Sequence, residues 1–209
     1  MKLTDRFEDT LTINNIECRL DLSFDNILRI YELKDDVELS DFSKIEFMFE
    51  MLVINHEDID LTLDQKVQTV EFIFSEFITQ ESVQEKADES EQEEPQQKTY
   101  DLNKDADYIY ASFFMDYGLD LIEQQGKLHW RKFVALLNGL SEKTPFMQVV
   151  RIRTMEVPKA NKHNEKERQR IKKLKRLYAL DKEEQNADDV FNDMITAFGG
   201  RPKGGDDNS

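Results

Sequence analysis

The chain has 209 residues with 44 acidic against 28 basic side chains, a formal charge of -16 that disfavours nucleic acid as a general ligand. A single cysteine, Cys18, excludes an intramolecular disulfide and a thiolate zinc site, and three scattered histidines offer little to other metals. The opening MKLTDRFEDTLT has no apolar signal core, and no stretch approaches the run of about 18 apolar residues that a membrane helix needs, so a soluble protein of a reducing compartment is expected.

Residues 1–79 carry a net charge of -12. They open with TLTINNIECRL, in which Leu11, Ile13 and Ile16 flank Asn14-Asn15, a pair able to adopt positive φ, so a small hairpin is predicted. Three helical patterns follow: Phe24, Ile27, Leu28 and Tyr31; then Ile45, Met48, Phe49 and Leu52 behind a Ser40 cap; then Val67, Val70, Phe74 and Phe77. Thr62 and Gln65 have capping-box spacing, which places the start of the third helix. Residues 80–98 hold a net charge of -5, with Val83 the only large apolar side chain. Burial there cannot offset ordering entropy, so residues 80–99 are read as an acidic disordered linker.

Residues 99–157 are nearly neutral, with a net charge of -1. Tyr110, Phe113, Phe114 and Tyr117 lie at helical spacing before Gly118, a terminating position for a left-handed residue. A second helix carries Trp130, Phe133, Leu136 and Leu137; a third begins after Thr144 with Pro145 at its first position and stops before Pro158. Residues 158–176 reverse the sign to +7, and residues 177–209 return to -5. The fold expected is mainly α: a helical bundle with a small N-terminal β-hairpin and an acidic disordered linker. Its parts are hairpin plus helices over 1–79, linker over 80–99, helical core over 100–157, a basic and a terminal amphipathic helix over 158–200, and a disordered tail over 201–209.

Catalytic chemistry finds no support in these residue types. His56 sits in NHEDID without the turn glycine and spaced oxygens of a hard-cation loop. His129 opens an amphipathic helix, where capping or packing outweighs general-base work; His163 is read as solvated, and Cys18 as a small buried hydrophobe. There is no Gly-rich phosphate loop and no GxSxG. No enzyme activity, cofactor, catalytic residue or metal ligand is expected.

Two features point to partners. In the basic helix, Arg168, Arg170, Lys172, Lys173, Lys175 and Arg176 almost encircle a narrow seam of Ile171, Leu174 and Tyr178. An acidic protein surface, of this chain or another, and plain solvation are the favoured readings; nucleic acid and an anionic membrane rank behind them. The last helix presents Phe191, Met194, Ile195 and Phe198 on a segment too short to be stable alone, so it must dock on its own domain or in a partner's groove.

Taken together, DLNKDADYIYASFFMDYGLDLIE, LHWRKFVALLNGL and FMQVVRIR resemble a family encoded by tailed bacteriophages of Gram-positive hosts between the major tail protein and the tape-measure protein, the tail assembly chaperones. The resemblance is strongest over residues 100–157 and looser around IECRLDLSFDNILRIYEL. It implies a non-enzymatic role in the host cytoplasm: binding the tape-measure protein, shielding its apolar surface, and recruiting tail-tube protein during assembly of a long non-contractile tail. An upstream tail assembly chaperone or a second copy of the chain is a further expected partner, and the apolar faces of the residues themselves put the expected contact surfaces on the final helix and on the aromatic face of Tyr110, Phe114 and Tyr117. The alternatives are a nucleic-acid-associated or regulatory phage protein using residues 162–176, and a structural virion subunit.

Overall fold

The computed structural model describes residue 7 and residues 9–79, 99–161 and 163–180. The expected linker over 80–98, the terminal amphipathic helix and the tail lie outside the described residues. Within them the chain is mainly α-helical with one two-stranded antiparallel hairpin, as expected. They divide into two compact units, one from residues 1–94 and 119–139, the other from residues 95–118 and 140–209.

In the first unit, β1 (Thr10–Ile13) and β2 (Ile16–Arg19) are joined by Asn14 and Asn15 at φ 50° and 64°. Two consecutive left-handed residues give the tight turn whose twist matches that of the strands, and asparagine tolerates it better than most side chains. The register sets Ile13 opposite Ile16 and Leu11 opposite Cys18, which is fully buried. The outer edge of β2 is closed by the chain that follows the second helix: Ile54 N–H donates to the Arg19 carbonyl (2.8 Å) and Asp21 N–H to the Leu52 carbonyl (2.9 Å). Asn55 extends this pairing with its side chain, its Oδ1 accepting from Arg19 N–H at 3.0 Å and its Nδ2 donating to the Glu17 carbonyl at 3.1 Å.

Three helices pack beside the hairpin: α1 (Phe24–Asp35), α2 (Asp41–Leu52) and α3 (Leu63–Ile73). Ser40 caps α2 through Ser43 N–H, and the Thr62–Gln65 capping box opens α3 with both reciprocal bonds formed. Each satisfied cap is worth about 1 kcal/mol. Buried Asn26 donates to the carbonyls of Asp21 (2.9 Å) and Met51 (2.8 Å), tying the start of α1 to the end of α2. Beyond α3 the helix widens into a π turn, Phe74–Ile78, which the sequence pattern did not signal. Burial there falls on Val70, Ile73 and Ile78, while the predicted Phe74 and Phe77 are half-buried.

The second unit holds α4 (Ala106–Tyr117), α6 (Pro145–Thr154) and α7 (Glu165–Leu177); α5 (Trp130–Asn138) belongs to the first. The structure thus divides the chain differently from the expected single core over 100–157. The reason is main-chain pairing: Phe24 N–H donates to the Leu128 carbonyl (2.9 Å) and Trp130 N–H to the Leu22 carbonyl (2.7 Å). Phe133 then stacks on Phe24 of α1 at 5.0 Å between ring centroids, and Trp130, stacked on Phe133, meets Tyr31 of α1 at a tilt. In the second unit Gly118 ends α4 in the left-handed conformation, as predicted. Thr144 has the extended backbone of a cap, but its hydroxyl donates to the Ser141 carbonyl at 2.7 Å. The N-terminus of α6 is instead met by Ser112 of α4, whose buried Oγ accepts from Phe146 N–H at 3.0 Å.

Candidate functional site

The predicted contact residues that are described, Tyr110, Phe114 and Tyr117, all lie on α4. Its buried side presents Ile109, Ser112 and Phe113, and its other side leaves Phe114 and Met115 each 57% exposed and Tyr117 38%. Tyr110 is half-buried, so the expected aromatic face is narrower than predicted and lies at the C-terminal end of the helix. That end is held in place. Asp116 accepts from Ser141 N–H (2.7 Å) and Ser141 Oγ (3.1 Å), and Tyr117 packs edge-on against buried Phe113 at 5.7 Å.

The six predicted cations of α7 do not form one uniform patch. Arg168 is half-buried and lies 3.6 Å from Glu165 one turn earlier, and Lys175 donates to the Met155 carbonyl at 2.8 Å, where it closes the C-terminus of α6. Lys173 is half-buried, whereas Arg170, Lys172 and Arg176 are exposed. Ile171, Leu174 and Tyr178 are half-buried, and Leu177 supplies the buried position of the seam. Phe191, Met194, Ile195 and Phe198 lie outside the described residues.

Two arginines that periodicity passed over organise the polar interior. In the second unit, Arg153 binds Asp105 through two parallel bonds, Nη1 to Oδ2 at 2.6 Å and Nη2 to Oδ1 at 2.7 Å, while Asp105 is 1% exposed. The same guanidinium donates to the carbonyls of Tyr178 and Thr99, so one side chain in the last turn of α6 joins the start of α4 and the end of α7. In the first unit, Arg131 donates from Nε to the Phe77 carbonyl (3.3 Å) and from Nη2 to the Glu76 carbonyl, and Trp130 Nε1 donates to the Ile78 carbonyl (3.1 Å). Three orphan carbonyls of the π turn are thereby satisfied from the start of α5.

His129 performs the capping role expected of it. Its Nδ1 accepts from Arg131 N–H at 3.0 Å, which leaves Nε2–H to donate to Asp9 Oδ1 at 3.1 Å, and the ring stacks on Phe7 at 4.0 Å. Burial lowers its pKa below 6.5; Asp9 opposes that shift, and Arg131 and Lys132 reinforce it. Burial likewise raises the Cys18 thiol. Among the described residues no three His, Cys, Asp or Glu side chains are grouped to hold a metal ion, and no helix is long and apolar enough to cross a membrane.

Residues 3–180 match the model of a family described as Bacteriophage Gp15 protein. The chain belongs to that bacteriophage family. No curated protein and no solved structure matches it. The Gp15 match spans the described parts of both units, including the Asp105–Arg153 pair and the exposed end of α4, and it stops short of Phe191, Met194, Ile195 and Phe198. For this Gp15 protein the exposed end of α4 therefore lies within the matched region, and the segment expected to form a terminal helix does not.

Proposed function

We propose that this phage protein is a tail assembly chaperone, which binds the tape-measure protein in the host cytoplasm, shields its apolar surface, and helps to recruit tail-tube protein without itself catalysing a reaction. It acts beside an upstream tail assembly chaperone or a second copy of itself. The observation that carries this reading is the exposed ridge of Phe114, Met115 and Tyr117 on α4, fixed by the Asp116–Ser141 bonds in a chain of charge -16. A rigid apolar ridge gives a client surface a place to dock at little ordering cost, while net charge keeps the carrier from associating through it. Membership of a bacteriophage family supports the setting.

The test is titration calorimetry of the purified chain against overlapping segments of the tape-measure protein. Binding that is weakened about tenfold or more by Phe114→Asp with Met115→Asp, with the unfolding midpoint unchanged, is the expected result. Nucleic acid is the weaker reading, because Arg168 and Lys175 already hold partners within the chain.

A further inference from the structure

The two edges of the hairpin have different fates. β2 is closed on its outer side by residues 52–55, as described above, whereas the outer side of β1 meets no other strand among the described residues. Ile13 and Ile16 close the two-residue turn as a hydrogen-bonded pair, so Leu11–Cys18 is the next such pair, and the Leu20 N–H to Asp9 carbonyl bond of 2.8 Å continues the alternation. The N–H and C=O groups of Thr10 and Thr12 therefore point away from β2, and among the described residues none of them has a partner. Nothing in β1 blunts this edge. Its residues Thr-Leu-Thr-Ile include no charge and no proline, and its pairing has no bulge.

The open edge borders a cleft of about 650 Å³ between β1 and α3. Opposite β1 stand Leu61, Gln65, Gln68, Thr69, Phe72 and Phe77, with the two phenylalanines packed edge-on at 6.4 Å and Phe72 51% exposed. No residue lining this cleft is charged, in a chain of which 34% is.

We infer that the cleft receives an extended, uncharged segment of a partner protein, added as a third strand on β1 through the outward groups of Thr10 and Thr12, with its alternate side chains on the Phe72–Phe77 floor. Main-chain bonds supply attachment in this mode, and the floor selects the side chains. A second copy would bring a charge of -16 against -16. The chain's own residues 80–98, which follow the π turn, carry seven acids to two bases and would have to desolvate carboxylates against an apolar floor. An uncharged strand meets neither cost. This site lies in the first unit, on residues other than the α4 ridge, so failure of the chaperone reading leaves it standing.

The experiment measures amide hydrogen exchange by NMR on the full chain with four blocked ten-residue peptides: alternating Thr-Val, the Glu-Val and Lys-Val analogues, and Thr-Val with a central proline. The Thr-Val peptide is expected to slow exchange at Thr10 and Thr12 by about tenfold or more, and the other three are expected not to. Thr12→Pro removes an outward donor that the hairpin does not use, and Phe72→Glu charges the floor without touching the strand. Each should weaken Thr-Val binding about tenfold. Equal binding of all four peptides, or binding that leaves Thr10 and Thr12 unaffected, would overturn the inference. So would protection of both amides in the peptide-free chain, which would mean that a second copy or the chain's own segment already holds the edge.

Discussion

Arg153 and Asp105 meet through two guanidinium–carboxylate bonds of 2.6 and 2.7 Å, across 48 residues of sequence, with the carboxylate 1% exposed. Removing one partner of such a buried pair leaves the other charged and unpaired, at a cost of about 3–5 kcal/mol. Arg153→Ala is therefore expected to lower stability in urea by that amount. Arg153→Lys should recover little, because an ammonium cannot reproduce the paired bonds while also reaching the carbonyls of Tyr178 and Thr99. Asp105→Ala with Arg153→Met should be milder than either single loss.

Arg131 predicts a smaller effect in the first unit. Arg131→Ala uncovers the carbonyls of Glu76 and Phe77 and should cost about 1–3 kcal/mol, measured by equilibrium urea unfolding. Trp130→Phe keeps the stacking on Phe133 but loses the bond to the Ile78 carbonyl, and should cost about 1 kcal/mol. Indifference to both changes would show that the π turn does not depend on α5 for its closure.

The pH dependence follows from His129, whose folded-state pKa lies below its ordinary 6.5 because the ring is buried. Between the folded value and 6.5 the unfolded chain binds the extra proton, so stability falls as the pH drops through that window and is fully present above it. Protonation of Nδ1 also breaks the cap on Arg131 N–H. His129→Asn preserves a capping acceptor without the titration. Its stability should be flatter than the wild type between about pH 7 and pH 5 in urea titrations, and an identical slope would assign the dependence elsewhere.

Cys18 offers a probe of the hairpin. It is fully buried opposite Leu11, and burial raises its thiol pKa, so thiolate and access are both scarce. Its reaction with a soluble aromatic disulfide should be at least about a hundredfold slower than in urea-unfolded protein. Rapid modification under native conditions would mean that the hairpin opens readily.

The elements legible in the sequence are those whose cause is local. Asn14-Asn15, the Thr62–Gln65 box, Pro145 and Gly118 act within a few residues, and all four stand where their spacing placed them. The features that spacing does not reveal act at a distance. Asn26 reaches Met51, Asn55 reaches Glu17, Arg131 reaches Glu76 and Arg153 reaches Asp105, all as polar side chains whose partners lie 25 to 55 residues away. An apolar period cannot reveal such pairs. The same limit explains α5, whose amphipathic stripe was plain while its destination rested on main-chain pairing of residues 128–130 with residues 22–24. On α4, spacing marked an aromatic face but not which rings it hides, and only packing separates buried Phe113 from exposed Phe114.

The proposed capture of the tape-measure protein is measured most directly by co-expression. The soluble yield of the tape-measure protein should rise severalfold with the wild-type chain, the two should elute together on size exclusion, and the chain carrying Phe114→Asp and Met115→Asp should give neither effect while folding normally. An unchanged yield with no co-eluting complex, or full activity of the doubly substituted chain, would contradict it.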